Sequence, residues 1–245
     1  MKQLFFFCII TIMATTLYAQ GTERSPFRRG YLRLGISNIP GKLNQAMSPK
    51  ENILASQYGS GTGYVLEIGK AYYFNRPQAG DRLGYGLDWT VFSASYNPLN
   101  RWKAYETTAG DPGATTTPAI MGLSSKLGPV LSVNAVEKLV IDARVQLVAS
   151  ASYYNFEYAG GSRYFHLINA QKNEDDNGVT SALMLGLKPS FGLTVRRGII
   201  GLALDYAPGK IKMNYEEGTG TSGEYTYGQK ELEANSLQLK LNISF

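Results

Sequence analysis

His166, the only histidine of the chain, lies in the stretch SRYFHLINAQ with Ser162 close before it. A serine hydrolase needs a histidine that accepts the hydroxyl proton and a third group that orients the histidine. His166 belongs to a long connection rich in polar residues, where a histidine is more often a surface residue than a catalytic base. We therefore assign no catalytic residue and expect that the protein is not an enzyme.

Two further stretches offer groups for ligands. Residues 173–178 read NEDDNG and supply oxygens of the kind that Ca²⁺ binds, but their spacing does not match an EF-hand loop. A solvated loop tip is the default interpretation, and a Ca²⁺ ion that bridges this cluster to anionic lipid headgroups is the alternative. GSGTG at 59–63 precedes a strand pattern rather than a helix, so it lacks the context of a phosphate-binding loop. The sequence thus predicts no metal site and no cofactor.

The N-terminal residues 1–19 have the layout of a secretory signal peptide. A basic start at Lys2 and an apolar run over 4–13 precede a cleavage site after residue 19. A buried N-terminal helix is the alternative. Cys8, the single cysteine, falls inside this segment, so the exported chain would have no disulfide to stabilise it. Residues 20–29 would follow as a short periplasmic segment.

The charge of the chain is mild and dispersed. The formal net charge is +5, and the basic residues are scattered rather than gathered on one face. A nucleic-acid-binding protein would need a contiguous basic surface, so this class of partner is excluded. After the signal peptide, no apolar stretch is long enough for a transmembrane helix.

Strand patterns, in which apolar and polar residues alternate, recur through the mature chain. They cover residues 30–39, 63–74, 81–96, 119–133, 138–152, 180–195, 198–211 and 234–245. An even number of strands is typical of a closed antiparallel barrel in a membrane. The sequence therefore predicts an all-β fold, an eight-stranded antiparallel up-and-down transmembrane β-barrel over residues 30–245.

The connections between these strands alternate in length. Long connections are predicted at 40–62, 97–118, 153–179 and 212–234, and short ones at 75–80, 134–137 and 196–197. Outer-membrane barrels have short periplasmic turns and long extracellular loops, whereas a soluble sandwich has no reason to gather its long loops at one end. The pattern therefore favours a membrane barrel with long extracellular loops.

Charged residues fall on the faces opposite the apolar stripes and form a predicted lumen polar network. They are Arg33, Glu67, Asp88, Asp142, Arg144, Lys188, Asp205 and Lys240, four bases and four acids. In a membrane barrel the apolar face meets lipid and these charges point inward, whereas a soluble barrel would place them in water. An eight-stranded barrel is just wide enough for side chains to fill it. Balanced charges then predict a plugged lumen, and a narrow water-filled channel is the alternative.

Two observations refine which face meets lipid. Aromatic residues gather near the strand ends, as in the belts of membrane proteins. They are Tyr72, Tyr73 and Phe74 at one rim, and Tyr96, Trp102, Tyr153, Tyr154 and Phe156 at the other. Lys70 breaks the pattern, because it falls on the apolar side of its strand. Either its long side chain reaches the membrane surface, or a bulge at Gly69 shifts the register.

The end of the chain carries a resemblance to a known group. The terminal LQLKLNISF resembles the C-terminal β-signal of Gram-negative outer-membrane proteins, in which alternating apolar residues lead to a final aromatic. The stretch KLGPVLSVNAVEKLVIDARVQL resembles the central hairpin of the outer membrane protein β-barrel domain family. This group is also called porin family or PorT-like and is built like OmpX and the OmpA membrane domain. The resemblance implies that the barrel-assembly machinery reads Leu241, Ile243 and Phe245.

These observations lead to one expectation for function and several alternatives. We expect a non-enzymatic protein of the cell outer membrane, in contact with its lipids, with a structural role or a surface-interaction role through its long loops. A small passive diffusion channel is the first alternative. The resemblance to PorT-like proteins implies a second, an accessory of a secretion or assembly system, with a partner bound through the loops. A lipid-modifying enzyme of the outer membrane is the last.

Overall fold

A closed barrel forms the centre of the molecule. The computed structural model describes residues 25–78, 80–109, 118–136, 138–160, 163–168, 183–219 and 225–245. Eight antiparallel strands close in the order β1-β12-β9-β8-β5-β4-β3-β2. They are β1 (Gly30–Asn38), β2 (Gly63–Tyr73), β3 (Leu83–Pro98), β4 (Ala119–Val136), β5 (Leu139–Asn155), β8 (Leu183–Arg197), β9 (Ile200–Ala207) and β12 (Ser236–Ser244). The prediction of an all-β, eight-stranded antiparallel barrel is confirmed.

The seam of the barrel joins the first strand to the last. Leu34 of β1 lies opposite Leu241 of β12, and Ile36 lies opposite Leu239. At the end of the seam the backbone N–H of Gly30 donates to the Phe245 carbonyl (3.0 Å), and the N–H of Phe245 donates back to the Gly30 carbonyl (2.9 Å). Pairing along this seam satisfies the edges that an open sheet would expose.

Alternation along each barrel strand separates an apolar outside from a polar inside. The outward side chains are large, apolar and exposed, as Leu34 (47%), Leu147 (56%) and Leu202 (59%) illustrate. On the barrel strands as described, the outward charged residues are Lys70 and Arg197. Lys70 pairs with Gly30 at the start of β1, and Arg197 ends β8. Both outward charges therefore lie at the same end of the barrel, the end with the short turns.

The β2–β3 register shifts between Ile68 and Gly69, as the bulge alternative predicts, but the extra residues belong to β3. The register of β3 shifts against β2 and β4 around Val91 and Phe92, and both side chains are exposed on the outer face. In β2 the alternation runs through Gly69 without a break, so Lys70 faces outward. The Lys70 Nζ lies 5.3 Å from the centroid of the Tyr72 ring. The outward position of Lys70 thus needs no bulge in its own strand.

A second sheet lies at the end of the barrel where the connections are long. Its strand order is β11-β10-β7-β6, and its strands are β6 (Glu157–Gly160), β7 (Arg163–Ile168), β10 (Lys210–Thr219) and β11 (Tyr225–Glu233). These strands come from stretches that the sequence pattern assigns mainly to loops. The alternation of apolar and polar residues in these strands is short and interrupted by Gly, Glu and Lys, as in EYTYGQKELE.

Two short helices complete the same end. They are α1 (Pro49–Leu54) and α2 (Trp102–Ala109). Ser48 caps α1 in a capping box with Glu51, and Pro49 fits the first helical turn, where an N–H would have no partner. Within the described ranges, no helix is long and apolar enough to cross a membrane. We call the second sheet and the two helices together the cap.

An apolar core joins the cap to the mouth of the barrel. Inward residues at the strand ends, such as Ile39, Ile120 and Tyr154, pack in one cluster with Trp102 and Phe156 from the connections. The Trp102 and Phe156 rings are 4.9 Å apart, and the Trp102 indole N–H donates to a buried backbone carbonyl at 2.9 Å. Trp102, Tyr154 and Phe156 therefore belong to this core and not to an outer aromatic belt.

A smaller apolar cluster closes the end with the short turns. Phe27 packs among Ala71, Tyr73, Val130 and Val140, with the Phe27 and Tyr73 rings 5.8 Å apart. Phe27 of the described residues 25–29 therefore lies in the barrel mouth. The outward aromatic residues at this rim are Tyr72, Phe74, Tyr85 and Phe245.

Candidate functional site: the barrel interior

Glu67 lies at the centre of a buried ionic network. The Lys240 Nζ is 2.7 Å from Glu67 Oε2, and the Arg33 Nη1 is 3.7 Å from the same oxygen. The Lys126 Nζ donates to Glu67 Oε1. Glu67 is completely buried, so its charge is compensated by these three cations and not by water.

Asp205 forms the second acidic centre of this network. The Arg144 Nη2 donates to Asp205 Oδ1 at 2.8 Å, and the Lys240 Nζ donates to Asp205 Oδ2. The Lys126 Nζ lies 3.6 Å from the same Oδ2. Lys126 and Lys240 thus bridge the two acids. We call Arg33, Glu67, Lys126, Arg144, Asp205 and Lys240 the charge cluster.

The structure places the other predicted lumen residues around the charge cluster. Asp88 accepts hydrogen bonds from the Tyr31 hydroxyl (2.7 Å) and from Gln146 Nε2 (2.7 Å). Asp142 pairs with Arg196 at 3.0 Å near the short-turn end. The Arg196 Nη1 also donates to the Pro26 carbonyl (2.6 Å), which ties the segment before β1 to the interior.

Lys188 differs from the other inward bases. It is half-buried, and its Nζ donates to the Ala234 carbonyl at 2.8 Å. No ion pair is found for it within the described part of the chain. Lys188 lies toward the cap, away from the acids of the charge cluster.

The interior holds more basic than acidic residues. Two of its bases are not part of the lumen network that the sequence predicts. Lys126 and Arg196 both point inward and are buried. The acids on the described barrel strands remain Glu67, Asp88, Asp142 and Asp205, so the six inward bases exceed the four inward acids by two. The expected balance of four against four is therefore wrong for these strands.

The two omissions have a local explanation. Lys126 lies three residues before Pro129, a residue that disrupts most strands, yet the alternation continues through Leu127, Pro129 and Leu131 on the outer face. The sequence pattern predicts a two-residue turn at 196–197, whereas β8 continues to Arg197 and the turn follows it. Continuing each alternation past the apparent break would have found both residues.

A glycine provides room for the charge cluster. A Cβ on Gly192 of β8 would lie 2.4 Å from Asp205 Oδ1 and 2.7 Å from Arg144 Nη2. The Arg144–Asp205 pair therefore packs directly on the backbone of β8. No other residue type leaves this space open.

His166 lies in β7 of the cap and not in an irregular loop. It is opposite Glu157 of β6 and Glu216 of β10. Burial lowers the pKa of His166, and these two carboxylates oppose that effect in part. Ser162 and residues 173–178 lie outside the described residues, and so do residues 1–24, which include the predicted signal peptide.

The described residues offer no ready metal site. Within those ranges, no group of three or more His, Cys, Asp or Glu side chains could hold a metal ion. GSGTG at 59–63 leads into β2, and Gly59 within it has φ of 62°. The chemistry that the interior provides is therefore ionic packing: fixed charges of both signs that fill the barrel.

Comparison with known proteins adds no family to these observations. No family model matches the chain, and no curated protein matches it. A function has to be argued from the residues of this chain alone.

Proposed function

We propose that the chain is an outer-membrane β-barrel protein with a closed lumen that acts through its surface-exposed cap. The observation that carries this proposal is the distribution of charge across the barrel wall. The outward side chains are mostly large, apolar and exposed. On the described barrel strands the outward charged residues are Lys70 and Arg197, whereas the other charged side chains point into the barrel. A soluble protein rarely exposes an apolar surface of this extent.

The location follows from the same argument. An apolar outer surface is favourable in lipid. Lipid offers no hydrogen-bond partners to the backbone, and in a closed barrel the backbone groups of the strands pair with one another. Lys70 and Arg197 at the short-turn end fit a membrane surface, where long basic side chains reach water. The cap, at the opposite end, would then face the outside of the cell. There it would meet lipids and any extracellular or secretion partner.

Within the described residues, three layers of side chains fill the barrel and leave no open pore through it. The Phe27 cluster closes one mouth, the charge cluster fills the middle, and the core of the cap closes the other mouth. The side chains of Glu67, Arg144 and Lys240 are completely buried. A small diffusion channel is the second candidate, because a polar cavity lies between the charge cluster and the cap.

The terminal residues support a route to the membrane. Leu241, Ile243 and Phe245 lie on the outer face of β12 or at its end, where assembly machinery would meet them at the seam. A β-carbon on Gly30 would be 2.4 Å from the Phe245 ring, so this ring covers Gly30 of the first strand. Phe245 thus serves both the proposed signal and the closure of the barrel.

Two measurements test the proposal. Unboiled protein from outer-membrane fractions should migrate faster in SDS gels than boiled protein, since a closed barrel resists unfolding by the detergent. In planar bilayers the purified protein should give no steady current. The charge-neutral double variant with Glu67→Ala and Lys126→Ala removes one acid and one base from the middle layer, so it should show brief channel openings that the wild-type protein lacks.

The outcomes that contradict the proposal differ for its two parts. The membrane barrel is contradicted if the protein is absent from the outer-membrane fraction or shows no heat-dependent shift. The closed lumen is contradicted if the wild-type protein carries steady open-channel current. A matched control with Glu231→Ala and Lys210→Ala, an exposed pair on the cap, should leave the conductance unchanged.

A further inference from the structure

A polar cavity lies inside the barrel between the charge cluster and the core of the cap. Its volume is about 70 Å³, and Lys126 and Gln238 line it together with Ile39, Ile120 and Tyr154 of the cap core. A buried water molecule needs about 10–15 Å³ of such space, so the cavity holds several waters or one small solute. We call it the serine cavity, because seven serine side chains line it.

The lining of the serine cavity is rich in hydrogen-bond donors and basic in charge. The seven serines are Ser37, Ser93, Ser95, Ser124, Ser150, Ser152 and Ser236. Lys126 and Lys188 also line the cavity, and its described lining includes no Asp or Glu. Lys126 is engaged with Glu67, whereas the Lys188 Nζ donates to a backbone carbonyl, that of Ala234. The excess positive charge of the interior is thus available at Lys188.

Two buried polar groups of the lining lack partners. Among the described residues, the Ser37 Oγ and the Asn97 Oδ1 have no hydrogen-bond partner, although these two residues are only 2% and 3% exposed. A buried polar atom without a partner is energetically costly, so such atoms are usually satisfied by water or a ligand. Ser37 and Asn97 both line the serine cavity, which makes a solute in this cavity their natural partner.

We propose that the serine cavity binds a small, partly protonated oxyanion of the hydrogen phosphate type. The negative oxygens would accept from the Lys188 ammonium and from serine hydroxyls. The remaining P–OH group would donate to Asn97 Oδ1, which an anion without a proton cannot do. Ser150 and Ser152 of the lining are half-buried, so the cavity is not sealed from solvent. This site rests on the fold of the barrel and not on its location in a membrane.

The proposal is tested by titrating inorganic phosphate against the full chain folded in a phosphate-free detergent, with ³¹P relaxation as the measurement. The wild-type protein should bind phosphate more tightly than sulfate, which has no proton at neutral pH. Lys188→Gln should weaken phosphate binding at least tenfold. Ser152→Val, which fills part of the cavity and leaves both lysines in place, should weaken it as well. Lys212→Gln, on the exposed face of the cap, should bind like the wild type.

The heat-dependent gel shift establishes for each variant that the barrel is folded. The site is excluded if the folded wild-type protein does not bind phosphate, or if Lys188→Gln binds it as tightly as the wild type. Equal affinity for sulfate and phosphate would overturn the role of Asn97 as an acceptor. None of these results depends on whether the protein conducts or where it resides, so this proposal and the proposed function fail separately.

Discussion

At the scale of single residues, the interior depends on compensation between neighbours rather than on any one pair. Glu67 balances part of the charge of Arg33, Lys126 and Lys240, none of which reaches bulk water. Removing one member of a buried ionic group costs more than the group contributes as a whole, because the remaining charges lose their partner and stay buried. The acids are therefore the sensitive positions, since the interior already has an excess of bases.

The first prediction concerns Glu67. Glu67→Gln keeps the shape of the side chain and removes its charge, so we expect the free energy of unfolding to fall by about 3–5 kcal/mol. Urea titration of the protein folded into lipid vesicles measures this loss. Glu231→Gln is the matched control, because its exposed pair with Lys210 contributes about 0–1 kcal/mol. Equal small losses for both variants would contradict the structural role of the charge cluster.

The second prediction concerns Gly192. Gly192→Ala places a methyl group where Asp205 and Arg144 now lie, so we expect a loss of about 1–3 kcal/mol from overpacking. Gly186→Ala on the same strand is the control, since its new Cβ would meet only Ser150 Oγ at 3.8 Å. The temperature at which the unboiled gel band disappears should fall for Gly192→Ala and not for Gly186→Ala. The opposite order would show that the space at Gly192 is not needed.

At the scale of elements, the cap has its own source of stability. The Lys50–Glu217 ion pair joins α1 to β10, and the Tyr58 hydroxyl donates to the Glu233 carbonyl of β11 at 2.8 Å. These contacts, with the apolar core beneath them, hold the second sheet over the barrel mouth. Because the cap strands form a sheet of their own outside the barrel ladders, the cap should open without unfolding the barrel.

The third prediction is a pH dependence of the cap. Because burial lowers the pKa of His166 in the closed cap, the opened cap binds its proton more readily. The free energy of opening should therefore fall as the pH drops below about 6.5, the ordinary pKa of histidine. Hydrogen exchange of the β7 and β10 amides, corrected for intrinsic rates, should show less protection at pH 5 than at pH 7.5. In His166→Gln this difference should shrink, and an unchanged difference would assign the effect to other groups.

Strand length decides which elements of this fold can be predicted from the sequence. Alternation located the eight barrel strands, because each has one apolar and one polar face over many residues, as in β5 and β12. The second sheet was missed because its strands are short and their apolar residues pack on a core that the connections themselves create. Phe165 and Leu167 alternate with Tyr164 and His166, but six residues of this kind do not distinguish a strand from a loop.

The interior was foreseen less completely than the wall. The polar face of a strand identifies which side chains share the lumen, but it does not say which of them meet. The contacts among Glu67, Lys126 and Lys240 depend on the stagger of the strands around the barrel. The serine cavity could not be foreseen for the same reason, since serines on opposite walls are ordinary strand residues until the register brings them together.

At the scale of the whole molecule, the outward apolar side chains form a belt around the barrel, and this belt determines how much stability an added charge should cost. Leu34→Arg places a cation in the middle of β1 on the outer face, and in a bilayer we expect a cost of about 2–4 kcal/mol. Val136→Arg, at the short-turn end of β4, should cost about 0–1 kcal/mol because the side chain reaches the membrane surface. Urea unfolding in vesicles measures both variants. Equal costs would contradict a belt that meets the hydrocarbon.

The β1–β12 seam has a kinetic consequence. Its partners, such as Tyr31 and Ser244, are more than two hundred residues apart in the chain, whereas every other pair of barrel neighbours is joined by a single connection. Contacts between distant parts of a chain form slowly, because the loop entropy must be lost before the contact stabilises anything. The seam should therefore be the last pairing to form. Until it does, β1 and β12 both expose unpaired backbone, and the time spent in that state sets the risk of aggregation.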